Sequence, residues 1–195
     1  ACPRCGPRLT LETPDGKAVA GDPIRAARAA LSRGGIVAVR GVGGFLLAVD
    51  ACSRDALSAL RQRKRRPHKP FAVMAADVAA VRRFCEVPAE AEALLASPEG
   101  PIVILDILPE AVRDGRLPLD LLTPDAPTLG VMLPTSPLHL LLLEPLAGDP
   151  VPPFGLLVMT SGNRGGEPLC LTNAEAHERL GGIADLFLCH DREIS

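Results

Sequence analysis

Short apolar runs alternate with helix-starting signals along most of this chain, and this alternation restricts the possible fold more than any other feature. The runs are four to five residues long, as buried strands usually are, and lie at 36–39, 45–49, 71–74, 102–105, 129–133, 156–159 and 186–189. Between them stand helix-capping residues: Asp22 followed by Pro23, Ser53, Asp77, and the pair Thr172 and Glu175. Strands interleaved with helices predict an α/β fold, with a twisted, largely parallel or mixed sheet flanked by helices. We expect residues 21–195 to form it as a single domain.

Composition narrows the class of protein. The 195 residues are 47% hydrophobic and 23% charged, which is typical of a soluble globular domain. The longest apolar stretch, 138–143, is too short to span a bilayer, so we expect no membrane partner. Residues 106–127 are rich in Pro, Asp and Arg without a clear period, and we interpret them as an excursion over the surface.

The basic stretch 61–71 is the first feature that points to function. The chain has 18 arginines and 3 lysines, yet Lys64 and Lys69 both fall here among several arginines. Like charges this close repel, so the cluster must be solvated or face an anion. Pro67 and Pro70 push the preceding residues out of helical geometry, so the cations span a helix end and an extended loop. That shape suits a compact polyanion such as a triphosphate.

Two other readings of the basic stretch remain open. A basic run is often only a solvated surface. It could also bind nucleic acid, although the net charge of −2 and the absence of Trp and Tyr do not favour a general nucleic-acid surface.

A polar segment at the end of a strand is the second such feature. Residues 160–163 read Thr-Ser-Gly-Asn and follow the apolar run 156–159. Hydroxyl and amide groups in this position can hold phosphate oxygens or an ATP-bound Mg²⁺. A polar turn without a ligand is the simpler alternative. The glycine loop 40–44, His139 near a helix start, and the triplet 190–192 likewise either contact a ligand or have only a structural role.

The cysteines fall into two groups. Cys52, Cys85, Cys170 and Cys189 lie in apolar contexts and are expected to be small core residues of a cytoplasmic protein. Cys2 and Cys5 have the spacing of half a zinc site, and no second pair follows. We interpret them as an orphaned half-site, so zinc would need cysteines that precede this sequence.

Several motifs taken together resemble one family, the YrdC-like domain of HypF, the carbamoyltransferase of [NiFe]-hydrogenase maturation. The motifs are Gly43-Gly44-Phe45, Lys64-x-Arg66 with 69–74, 129–134 with Pro137-Leu138-His139, 160–163 with Gly166-Glu167-Pro168, and 190–194. They match in order over nearly the whole chain. The opening residues also look like the last cysteine pair of the zinc-finger region that precedes this domain in HypF. This resemblance implies that residues 1–20 are a remnant of that region and a linker.

The resemblance implies an ATP-dependent enzyme that makes carbamoyl-adenylate from carbamate and releases pyrophosphate, with ATP and Mg²⁺ as cofactors. In the complete protein, carbamoyl phosphate is the upstream source of the carbamoyl group and HypE is the acceptor. The implied catalytic residues are Lys64 and Arg66. The ATP and phosphate ligands would be Lys69, Thr160, Ser161, Asn163, His190 and Arg192, and the carbamoyl pocket would include Arg40, Gly43, Gly44 and His139.

The chain departs from the family pattern at three positions. It has Arg40 where lysine is expected, Leu46 where histidine is expected, and Thr135 where tyrosine is expected. Related functions therefore stay open: a threonylcarbamoyl-AMP synthase, a module that binds double-stranded RNA, or the adenylating domain of an antibiotic O-carbamoyltransferase.

Overall fold

The computed structural model describes residues 6–192, and within that range the chain forms one mixed sheet with helices on both faces. The strands are β1 (Leu9–Glu12), β2 (Val37–Gly41), β3 (Gly44–Asp50), β4 (Ala72–Met74), β5 (Val103–Asp106), β6 (Thr128–Met132), β7 (Leu157–Ser161) and β8 (Leu186–His190). The helices are α1 (Pro23–Ser32), α2 (Arg54–Lys64), α3 (Val78–Val81), α4 (Ala89–Leu95), α5 (Pro109–Arg113), α6 (Leu119–Leu122), α7 (Pro137–Leu143) and α8 (Asn173–Leu180).

The strand order across the sheet is β1-β8-β2-β3-β7-β4-β6-β5. Only the pairs β2–β8 and β4–β6 are parallel, and the other neighbouring pairs are antiparallel. The α/β class and the mixed sheet are thus confirmed, whereas a largely parallel sheet is not what forms. Antiparallel neighbours arise because β2 and β3 are joined by a tight hairpin and because β7 inserts between β3 and β4.

Each face of the sheet carries its own apolar core. On one face, Leu57 and Leu60 of α2 and Leu180 of α8 pack with inward side chains such as Phe45 and Phe187. On the other face, α1 and α7 cover a second cluster that includes residues of β2, β7 and β8. Alternate residues of β3 point to opposite cores, as strand geometry requires when both faces are covered.

Four helices begin where the sequence predicts. The side chains of Asp22, Ser53, Asp77 and Thr172 each accept a hydrogen bond from the backbone N–H three residues later, and Glu175 completes the capping box at Thr172. Helix α2 is relevant to the candidate site described below, because its last residue is Lys64.

The structure corrects other expectations about local structure and burial. Residues 9–12, which we assigned to the linker, form strand β1 and pair with β8, so at least this part of 1–20 belongs to the sheet. The run 102–105 is not a buried strand, because β5 is an edge strand and Ile104 is 65% exposed. Residues 106–127 include α5 and α6, and Leu122 is fully buried. Cys52 is exposed, while the other three cysteines within the described range are buried and free.

None of the helices described between residues 6 and 192 has the length and apolar character needed to cross a membrane.

Candidate active site

Strand direction brings the predicted motifs to the same side of the sheet, where several strands begin or end. Because β2 and β8 are parallel, their carboxyl ends, near Arg40 and His190, lie side by side. The start of β3 and the end of β7 meet on the same side, where Leu46 pairs with Ser161. The start of β4 follows next to β7, so the loop that precedes β4 arrives beside the residues that end β7.

The segment 64–70, here called the lysine loop, begins with a sharp reversal at the end of α2. Arg65 takes a left-handed conformation with φ of 50°, and the N–H of Arg66 donates to the carbonyl of Arg61 at 3.0 Å. This is the usual way to close a helix, although glycine is the common residue at such a position. The reversal turns the chain so that the side chains after α2 face β7.

Arg61 organises the lysine loop from inside. Its guanidinium donates to the carbonyls of Leu121 at 2.7 Å, Arg66 at 2.6 Å and Pro67 at 3.0 Å, and it lies 4.6 Å from the ring centre of Phe71. Only 7% of Arg61 is exposed. The sequence analysis missed this role, because the spacing of the basic run does not show which cation points inward.

The segment 160–163, here called the serine–asparagine turn, is held equally firmly. The N–H of Gly162 donates to the Phe45 carbonyl at 2.7 Å, and a Cβ on Gly162 would lie 2.5 Å from that oxygen, so only glycine fits. The Ser161 hydroxyl lies 2.7 Å from Asn163 Oδ1, and Asn163 Nδ2 donates to the Glu167 carbonyl at 2.6 Å. The turn therefore presents a hydroxyl and an amide oxygen side by side.

The lysine loop and the serine–asparagine turn converge. Lys64 Nζ donates to the carbonyls of Ser161 at 2.6 Å and Asn163 at 2.9 Å, across 97 and 99 residues of sequence. Arg66 Nη1 lies 3.3 Å from Thr160 Oγ1. Between the two segments lies a cavity of about 420 Å³, lined by residues 64–69, Ser161, Asn163, Gly165 and Gly166.

The cavity is strongly positive. None of its lining residues, all within the described range, is acidic, whereas Lys64, Arg65, Arg66 and Lys69 are cationic. Burial, followed by the charges of Arg66 and Lys69, lowers the pKa of Lys64 to about 8. Burial and the charge of Arg61 likewise lower the pKa of Arg66. Cations held together without a carboxylate favour a bound anion, because an anion relieves their mutual repulsion.

The hairpin residues adjoin this cavity without lining it. Gly44 has φ of 123°, and a Cβ there would lie 3.0 Å from the Cys170 carbonyl, so close packing requires the glycine. Gly43 is exposed and has open space around it. Phe45 connects the two regions, since its N–H donates to Cys170 and its carbonyl accepts from Gly162.

His139 is buried and faces the same hairpin. A Cβ on Gly41 would lie 3.7 Å from His139 Nε2, which has no hydrogen-bond partner, and Nδ1 lies 3.3 Å from Thr135 Oγ1. Burial lowers the pKa of His139, which favours the neutral imidazole. A neutral ring near the hairpin can donate or accept a hydrogen bond.

Arg40 and His190 contact each other and not the cavity residues. Arg40 Nη1 donates to the His190 carbonyl and to Asn173 Oδ1, both at 2.8 Å. Burial and the charge of Arg40 lower the pKa of His190. Arg192 is exposed at the end of the described range. Roles in ligand binding for these three residues stay predictions, and Cys2 and Cys5 lie outside the described residues.

The comparison with known proteins assigns this chain to a family. A family model, Sua5/YciO/YrdC, described as telomere recombination, matches residues 29–195. The chain therefore belongs to the Sua5/YciO/YrdC family.

Within that family, the whole chain is homologous to part of the HypF carbamoyltransferases, as the sequence motifs predicted. It is 48% identical over 195 residues to carbamoyltransferase HypF of Rhodobacter capsulatus, covering 100% of this chain and 24% of that protein. The chain spans about a quarter of the length of the curated relatives it matches.

Solved structures agree with this placement. A crystal structure of full-length HypF in the phosphate- and nucleotide-bound form has a TM-score of 0.87 and 44% identity, and the match covers 100% of this chain and 24% of that one. Sua5 of P. abyssi complexed with L-threonine has a TM-score of 0.68 at 21% identity, over 83% of this chain and 45% of that one, and it supports the fold alone.

Proposed function

We propose that this chain forms carbamoyl-adenylate from carbamate and ATP. A carbamate oxygen attacks the α-phosphorus, the bond from the α-phosphorus to the bridging oxygen breaks, and pyrophosphate leaves with the electron pair. No protein nucleophile takes part. Since an anion attacks an anion, the protein contributes mainly by positioning both and by neutralising their charge.

The observation that carries this proposal is the convergence of the lysine loop and the serine–asparagine turn on one cation-lined cavity. A triphosphate is a compact polyanion, and a cavity of about 420 Å³ is within the usual range for small-molecule sites. The relatives named carbamoyltransferases, and the HypF crystal structure described as phosphate- and nucleotide-bound, supply the reaction class and the ligand class.

Different residues of the site suit different parts of the reaction. Lys69 is exposed at the cavity, and Arg66 spans the space between Pro70 and Thr160, so both can approach phosphate oxygens. The oxygens of Ser161 and Asn163 are ligands that Mg²⁺ accepts, and Mg²⁺ bound there would supply further neutralisation of the phosphates.

Lys64 holds the serine–asparagine turn, and its expected catalytic role stays a prediction. The residue is 5% exposed, and its ammonium group donates to three oxygens, at 2.6, 2.9 and 3.4 Å, all from the serine–asparagine turn. In this arrangement it fixes the turn and adds positive charge behind it. Direct contact with a phosphate oxygen would require it to exchange one of these acceptors.

In a longer protein of the HypF type, the carbamoyl-adenylate made here would pass to a second site and then to HypE. Carbamoyl phosphate would be the upstream source of carbamate.

Nucleic acid is a less suitable ligand. Arg61 is buried inside the lysine loop, and Arg63 forms an ion pair with Asp185 at 2.6 Å, so both are already engaged within the domain. What remains exposed is a compact cluster, which matches a triphosphate better than an extended backbone.

The experiment is exchange of labelled pyrophosphate into ATP, catalysed by the 195-residue chain in ammonium bicarbonate, which contains carbamate at equilibrium. We expect exchange that depends on bicarbonate and ammonia together and that is lost in Arg66→Ala. Arg63→Ala is the matched control, because this arginine belongs to the same basic run but pairs with Asp185 outside the cavity. ATP binding without carbamate-dependent exchange, or exchange that Arg66→Ala leaves intact, would contradict the proposal.

A further inference from the structure

A cluster of metal-ligand residues lies on the β1 side of the sheet, where β1 and β8 are neighbours. Glu12, His177 and Cys189 come from β1, α8 and β8, and one potential ligand atom of each lies within 4.8 Å of the other two. Strands β2 and β3 separate β8 from β7, so the cluster is distinct from the proposed nucleotide site.

The fold builds this cluster from strand register. Glu12 pairs with Phe187, and Cys189 pairs with Thr10, so these side chains share the sheet face that α8 covers. The ring of His177 packs on Phe187 with 4.3 Å between ring centres, which sets the orientation of the imidazole. Thr10 Oγ1 donates to Glu12 Oε1 at 2.7 Å and leaves Oε2 directed at His177 Nε2, 2.8 Å away.

The three groups match the chemistry of zinc. Carboxylate oxygen, imidazole nitrogen and thiolate sulfur are all zinc ligands, with bond lengths of about 2.0 to 2.3 Å, and a metal ion between Glu12 and His177 would require their 2.8 Å contact to open slightly. Three protein ligands leave a fourth position for water. That position has access to solvent, since Glu12 and His177 keep 22% and 19% of their side chains exposed, while Cys189 is fully buried.

Among the described residues, outer-shell support is present at the carboxylate, whereas His177 Nδ1 is buried without a hydrogen-bond partner. The bond from Thr10 holds the carboxylate, as outer-shell partners of metal ligands usually do. Burial and the charge of Glu12 raise the pKa of Cys189 to about 12, whereas the charge of Arg40 lowers it. Binding of a divalent cation at Cys189 would release the thiol proton to solvent as the sulfur–metal bond forms.

We propose that Glu12, His177 and Cys189 form a zinc-binding site that fastens β1 to β8 and α8. The site would stabilise an edge strand that precedes the rest of the domain and is joined to it by 10 residues between β1 and α1. It is independent of the proposed nucleotide chemistry.

The test is titration of the 195-residue chain with Co²⁺, a spectroscopic substitute for Zn²⁺, in a Cys2→Ser/Cys5→Ser background that removes the terminal pair. We expect one equivalent to bind, with a near-ultraviolet sulfur-to-cobalt charge-transfer band and visible bands typical of four-coordinate cobalt. Zn²⁺ should displace Co²⁺ and abolish both.

The variants assign the ligands. Cys189→Ser should remove the charge-transfer band, and Glu12→Gln, which preserves shape, should weaken binding by at least about tenfold. Cys52→Ser is the matched control, since this exposed thiol lies outside the cluster and its loss should leave the spectrum unchanged. Circular dichroism would establish that each variant is folded. Absence of a charge-transfer band in the parent, or a band that persists in Cys189→Ser, would contradict the proposal.

Discussion

The ammonium group of Lys64 should make ATP binding depend on pH in a range where ATP itself no longer titrates. Burial, then the charges of Arg66 and Lys69, lowers its pKa to about 8, so the group loses its proton well below the pH at which an ordinary lysine does. The protonated form attracts phosphate oxygens and the neutral form does not. Affinity for MgATP should therefore fall as the pH rises through 8.

The size of the effect follows from that pKa. About nine-tenths of Lys64 is charged at pH 7 and about one-tenth at pH 9. If the charged form is the one that binds, the Kd rises about tenfold between these values, or about 1.4 kcal/mol. Phosphate groups have a second pKa of about 6, so the ligand charge is constant over this range. Removing the cation altogether in Lys64→Met should cost at least as much, because it removes the charge at every pH and also the hydrogen bonds that hold the serine–asparagine turn.

The assay is isothermal titration calorimetry with MgATP at saturating Mg²⁺, from pH 7 to pH 9. Lys64→Met should bind weakly at every pH, and Lys64→Arg, which keeps its charge, should show a flat profile. A flat profile in the unmodified chain would refute the reasoning, as would a decline of the same size in Lys64→Met.

Three further substitutions test how the site and core are held, each by urea unfolding. Arg61→Met should lower the free energy of unfolding by about 2 to 4 kcal/mol, because buried loop carbonyls lose a charged donor. It should also weaken ATP binding. Unchanged stability would show that water replaces the donor. Gly162→Ala should lower the free energy of unfolding by more than about 2 kcal/mol, since the new Cβ would lie 2.5 Å from the Phe45 carbonyl oxygen. Gly165→Ala is the control, because a Cβ there would have no atom within 4 Å, and its free energy of unfolding should change by no more than about 0.5 kcal/mol. Arg28 of α1 forms a buried ion pair with Asp149, with Nε 2.7 Å from Oδ2. Arg28→Met breaks this pair and should lower the free energy of unfolding by about 3 to 5 kcal/mol, and a loss below about 1 kcal/mol would contradict that expectation.

Local signals allowed much of the fold to be predicted. A capping side chain contacts the backbone three residues away, so the starts of α1, α2 and α8 are visible in a few letters of sequence. Apolar runs likewise indicate strands, because burial on both faces of a sheet needs continuous apolar sequence.

Long-range pairing explains what was missed. Strand β1 is four residues long and owes its place to β8, where Leu9 pairs with His190. No pattern within four residues shows a partner so far along the chain. The exposure of β5 has the same origin, because only the strand order makes it an edge.

In the candidate site, too, part of the arrangement was predicted from the sequence and part depends on long-range packing. The family resemblance placed residues of the lysine loop and of the serine–asparagine turn at one nucleotide site, and in the structure the two segments are in contact. The individual roles could not be predicted, since Arg61, Arg63 and Arg66 are the same residue type within one run. In the structure, Arg61 supports the lysine loop from inside and Arg63 pairs with Asp185. Arg66 is the one that lies beside Thr160.

The most direct measurement of the central claim is a crystal structure of the chain soaked with ATP, Mg²⁺ and ammonium bicarbonate. We expect density for the triphosphate between Lys69 and the serine–asparagine turn, with a metal ion near Ser161 and Asn163. Nucleotide density elsewhere on the protein, with this cavity empty at saturating ATP, would contradict the claim.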